Sequence, residues 1–184
     1  MKNKLFSVIV TCIFANPAFA ALNEPADSYI ELVNNQGDIV FPHEFQTELV
    51  HLGTTVVIGE DMKPANLNGI YTQRAAIDHY NKTGEWLDGT VFVKDVKLVP
   101  TERLTTGLVG HQEGNDVFFV MVKDNENRFS ESEHWGDGWG WAMFGAKPTH
   151  NESPNKEFCQ LSQPYEKILN GYMLINIQLC LNRY

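Results

Sequence analysis

Residues 138–144 read Gly-Trp-Gly-Trp-Ala-Met-Phe, a run in which bulky and bare side chains take turns. Successive side chains in a β-strand point to opposite faces. Trp139, Trp141 and Met143 therefore share one face, and Gly138, Gly140 and Ala142 share the other with Phe144. A glycine inside a strand weakens it and marks a bulge or a place where something lies close against the backbone. A flat ligand meets that description, and so does the packing of a neighbouring element. With Trp135 a few residues earlier, three of the chain's four tryptophans fall in this stretch.

The same reading finds strands upstream. Residues 90–99 alternate with Thr90, Phe92, Lys94, Val96 and Leu98 on one face and Val91, Val93, Asp95, Lys97 and Val99 on the other. Lys94 is thus set between apolar neighbours, where an ammonium is costly unless it is paired or loses its proton to become a nucleophilic amine. Residues 54–58 form a β-branched run, and residues 117–122 are apolar on both faces, as a central strand should be. Phe45, Leu49 and Leu52 give a short apolar helical stripe after Pro42, with Gly53 as its end. Thr72 is the expected N-cap of a helix over residues 73–83 closed by Gly84, and Asn68-Gly69 is a turn signal before it. Residues 105–110 and 124–128 read as polar loops. The expected class is α+β: a predominantly antiparallel β-sheet with short flanking helices.

The first 20 residues read as an export signal rather than structure. Lys2 and Lys4 precede an apolar run over residues 5–14, and Ala18-Phe19-Ala20 forms an A-x-A cleavage site. That run is too short to span a bilayer, which takes about 20 residues. Residues 21–184 are then expected to form a single domain. Losing Lys2 and Lys4 leaves 12 basic against 23 acidic side chains, net −11, which argues against nucleic acid or anionic lipid as partners. Cys12 leaves with the signal. The remaining pair, Cys159 and Cys180, suggests one disulfide in an oxidising compartment unless Cys159 carries something else.

Two segments together carry a family resemblance. The run GDGWGWAMF with Cys159 near a Pro-Tyr, and upstream YTQRAAIDHYNKTGEWLDGTVFVKDVKLV, resemble the cytochrome P-460 and cytochrome c′-beta family of periplasmic haem c proteins. The resemblance covers about residues 70–160. It implies haem c as cofactor, held by Cys159 and walled by Trp139 and Trp141. In the hydroxylamine-oxidising branch a lysine is joined to the porphyrin, and Lys94 best matches that position, with Lys97 as the other choice. The activity implied is oxidation of hydroxylamine or binding of nitric oxide, in a homodimer served by a periplasmic electron-transfer partner.

One departure bears on all of this. The family attaches haem through Cys-x-x-Cys-His, in which two sulfurs form thioethers and the histidine ligates iron. Here the positions read Cys159-Gln160-Leu161-Ser162-Gln163, without the second cysteine or the histidine. The alternative is therefore a haem-free relative that keeps the sheet as a binding or structural protein. If Gln163 stands where the ligating histidine should be, His134 or His150 is the replacement the sequence offers. Glu131, Glu133 and Asp137 are either proton relays beside a haem or solvated loop acids. The resemblance stops at Cys159, either because this lineage lost the attachment residues or because the reading frame shifted there. The tail over residues 160–184 alternates at its end like an added strand.

Overall fold

The computed structural model describes Pro25 and residues 28–154. The expectations for the export signal, for Cys159 and Cys180, and for a strand in the tail lie outside the described residues. Eight strands form within the rest: β1 (Val50–Ile58), β2 (Pro64–Thr72), β3 (Val91–Leu98), β4 (Thr101–Leu104), β5 (Gly107–Gly110), β6 (Asn115–Lys123), β7 (Trp135–Gly136) and β8 (Trp139–Gly145). The helices are short: α1 (Ser28–Leu32), α2 (Phe45–Glu48) and α3 (Arg74–Thr83). Six strands make one sheet in the order β1-β2-β3-β6-β8-β7, and β4 and β5 pair as a separate hairpin. Every pairing is antiparallel. The protein is thus α+β, a mostly antiparallel sheet with a few short helices. No helix among the described residues is long and apolar enough to cross a membrane.

The sheet has a core on each face, which is why β6 is apolar on both. Its position between β3 and β8 buries Phe118, Val120 and Val122 on one side and Met121 on the other. On the back face, Val93, Val120, Ala142 and Phe144 pack against Leu32, Ile39, Phe41 and Phe45 of the N-terminal segment. On the front face, Ile70, Phe92, Met121, Trp139 and Trp141 pack with Leu52 of β1 and Ile77 of α3. The loop from β6 to β7 is pinned rather than free. Arg128 reaches Asp88 at 2.7 Å and Asp124 at 2.8 Å, and Asp124 is buried.

Several local expectations give way to the sheet. Asn68-Gly69 is not a turn but the middle of β2, paired with β1 on one side and β3 on the other. The ring of Tyr71 lies 3.2 Å from where a Cβ on Gly69 would be, so the glycine is used for close packing. The turn falls earlier, over residues 59–63, where the Gly59 amide donates to the Lys63 carbonyl and Met62 takes a left-handed φ of 62°. Gly53 does not end a helix: α2 is a single turn, and Gly53 lies inside β1 beside a register shift. Gln73, not Thr72, precedes α3; Thr72 instead donates its hydroxyl to the Val91 carbonyl at 2.6 Å. Gly84 does close α3, at φ 76°. The supposed polar loop around Gly107 and Gly110 is the β4–β5 hairpin.

The bare face of β8 has a definite occupant. A Cβ on Gly140 would sit 2.6 Å from three atoms of the Trp135 indole, so that indole fills the space the missing side chain leaves. Trp135 is buried and donates Nε1–H to the Gly37 carbonyl at 2.6 Å. Gly140→Ala forces the ring out of this seat. It is expected to destabilise the fold by about 1–3 kcal/mol, with a lowered Tm readable by thermal or urea denaturation.

Candidate functional site

The register of the sheet sets out the front face as a grid. Thr72, Phe92, Met121 and Trp141 lie opposite one another across β2, β3, β6 and β8. The next row is Ile70, Lys94, Phe119 and Met143, and the row beyond it is Asn68, Val96, Val117 and Gly145. At roughly 4.8 Å between strands, four strands give a patch about 14 Å wide. One end is closed by Trp86, which stacks on Tyr80 of α3 at 4.1 Å and meets Phe92 edge-on at 4.8 Å. Near that end Lys123 lies over the Trp139 ring, 5.0 Å from its centroid, and donates to the Gly138 carbonyl at 2.9 Å.

Lys94 is the one charged residue in those three rows. It is mostly buried, and its Nζ lies over the Phe119 ring at 4.6 Å. It has no ion pair among the described residues, and burial lowers its pKa below the usual lysine value. Lys97 is disposed differently. It lies on the back face and pairs at 2.8 Å with Asp95, which is fully buried and also accepts from Gln46 and Asn115. Of the two lysines, the one sharing a face with Trp139 and Trp141 is Lys94. Gly140 of β8 faces the opposite side, and Trp135 fills the space beside it, so a flat ligand against that glycine is ruled out.

The histidines gather elsewhere. His43, His134 and His150 line a cleft of about 370 Å³ together with Phe41 and Phe144, which belong to the back-face core. His51 bonds the Thr54 hydroxyl at 3.0 Å. Among the described residues no group of three or more His, Cys, Asp or Glu side chains is placed to hold a metal ion. Glu131, Glu133 and Asp137 are exposed loop residues outside the grid.

One residue of the grid escapes a sequence reading. Asn68, placed in a turn by its Asn-Gly pairing, is 5% exposed on the front face. Its Oδ1 is buried with no hydrogen-bond partner among the described residues. Reading residues 64–72 as a strand would have set Asn68 beside Ile70 and Thr72, and that alternation was the available signal.

The grid therefore combines an apolar and aromatic patch, buried against Leu52 and Ile77, with a lysine that has no ion pair among the described residues and an orphaned buried carbonyl oxygen. That donor set suits a flat, largely hydrophobic group such as a porphyrin with a small polar ligand. An iron ligand is not among the described residues of this face, and Cys159 lies outside them. A family model described as Cytochrome P460 matches residues 42–161, well over half of the chain, taking in β1 to β8 and Cys159. No curated protein matches the chain.

The depressed pKa of Lys94 makes a prediction about stability. Between its folded pKa and 10.5 the unfolded chain binds a proton that the native state does not, so stability rises with pH through that window, falls back as pH drops through it and levels off below the folded pKa. Lys94→Met keeps the aliphatic length without the charge. It is expected to be more stable than wild type at neutral pH by about 1 kcal/mol. Urea denaturation at neutral pH and near pH 10 checks this: the advantage should shrink at the higher pH.

Proposed function

The chain belongs to the cytochrome P460 family of haem-binding proteins, and on that premise we propose that it holds a haem c against the front face of the sheet and handles small nitrogen compounds there. The observation that carries this reading is the position of Lys94, a lysine without an ion-pair partner among the described residues, on the same face as Trp139, Trp141 and Phe119. When bound, the haem supplies an iron centre at which hydroxylamine is oxidised or nitric oxide held. The protein's residues have separate tasks. Trp139, Trp141, Phe119 and Met143 exclude water and wall the macrocycle, and Cys159 tethers it through one thioether. Lys94 is the residue we assign to the family's lysine–porphyrin link, because burial favours its neutral, nucleophilic amine. An export signal over residues 1–20 places the protein in the periplasm, where an electron-transfer partner accepts electrons from a homodimer.

A second reading has its own observation. Residues 159–163 lack the second cysteine and the histidine of the attachment motif, and the three clustered histidines lie with the back-face core. On that reading the chain is a haem-free relative that acts as a binding or structural protein.

Absorption and pyridine-haemochrome spectra, with mass spectrometry, decide between them on protein exported from cells that mature haem c. Covalent haem in the wild type, lost in Cys159→Ala, is the expected outcome. A haem absorption band that shifts in Lys94→Arg identifies the lysine link. A colourless protein of unmodified mass leaves the haem-free reading.

A further inference from the structure

Asn68 lies across from Val96 on β3, diagonal to Lys94 on the front face. At 5% exposure it is well buried, and its Oδ1 has no partner among the described residues. Buried carbonyl oxygens are seldom left without a donor, because the water lost on burial is then not replaced. By register Asn68 lies opposite Thr55 on β1 and diagonal to Lys94 on β3, and the Lys94 Nζ sits over the Phe119 ring. The buried carboxylates are served: Asp95 takes Lys97, Gln46 and Asn115, and Asp124 takes Arg128 and the Glu126 amide. A second unmet atom, His134 Nδ1, lines the cleft beside the back-face core; on the front face the unmet acceptor is Asn68 Oδ1.

Only a donor satisfies an acceptor, and that narrows what Oδ1 meets. An iron porphyrin offers none, since its pyrrole nitrogens bind the metal and its ionised propionates are themselves acceptors. Nitric oxide carries no proton. Hydroxylamine carries both N–H and O–H. We propose that Asn68 sets ligand specificity on this face, its Oδ1 accepting a hydrogen bond from the N–H or O–H of a small protic nitrogen compound. Nitric oxide gains nothing from that oxygen. This rests on the haem-binding reading above and chooses between the two ligand classes it contains.

The test uses the full haem-loaded chain, wild type against Asn68→Leu, which removes the amide while keeping its branched outline, and Asn68→Val, which is less bulky than leucine and suits a strand. Anaerobic spectral titrations with hydroxylamine and with nitric oxide give the two dissociation constants. Loss of one buried hydrogen bond should weaken hydroxylamine roughly tenfold in both variants and leave nitric oxide within about twofold. Equal weakening of both ligands, or no change for hydroxylamine, overturns the proposal. Melting of the haem-free chains is the second readout, and the variants are expected to melt at or above wild type because no bond within the protein is lost. A clear drop in Tm in both makes Asn68 a structural residue and overturns the proposal. A wild type that takes up no haem overturns the functional reading and this proposal with it, whereas haem uptake with unchanged selectivity overturns this proposal alone.

Discussion

The seat of Trp135 on Gly140 decides how the back face of the sheet is filled. A side chain larger than hydrogen on Gly140 would lie 2.6 Å from the indole, and the indole in turn reaches Gly37 with its N–H. One contact therefore ties the N-terminal segment, β7 and β8 together across the back face. It also uses up the space that Gly140 would otherwise leave open. With the back filled by this ring and by Phe41, Phe45 and Phe144, Trp139 and Trp141 project to the front with Phe92 and Met121. The division of labour between the faces follows from packing alone.

Polar groups follow the same division. On the back, the carboxylate of Asp95 is fully buried and met by Lys97, Gln46 and Asn115. At the loop beyond β6, Arg128 gathers Asp88, Asp124 and Glu126 and lies over the ring of Tyr29. Burial alone would raise the pKa of Asp88, but the guanidinium and the Asn125 amide outweigh it and hold the carboxyl below its usual range. On the front, Lys94 has only the face of Phe119, and the carbonyl oxygen of Asn68 has nothing among the described residues. The other buried atom without a partner among the described residues, His134 Nδ1, lies in the cleft beside the back-face core, so each face carries one such group.

What could be read from the sequence, and what could not, divides along local and non-local causes. Alternation over residues 90–99 and 138–144 is a local property, so the pairing of Lys94 with Phe92, and of Trp139 with Trp141 and Met143, was legible. The cap at Gly84 was legible for the same reason, since a left-handed residue closes the helix where it stands. The Gly140 pocket was recognisable as a close approach, but the visitor was not, because Trp135 reaches it through strand pairing. Asn68-Gly69 misled because a strong local turn preference was overridden by two strand partners and the ring of Tyr71. The alternation separates Lys94 from Lys97 by face; which face carries the wall emerges only once β3, β6 and β8 are in register.

The degenerate attachment motif and the preserved front face pull in opposite directions, and the energetics of the face weigh on the second side. A sheet with no ligand to hold is stabilised by replacing a half-buried lysine without an ion pair, or an orphaned buried amide, with an apolar residue. Both polar residues stand in this chain, on adjacent strands and on the face that bears the tryptophans. Their concession of stability is localised where a flat hydrophobic group with a small protic ligand would remove it. The loss at residues 160–163 touches how a haem is fastened; the surface that would receive it is a separate property of β2, β3, β6 and β8, and those strands are intact.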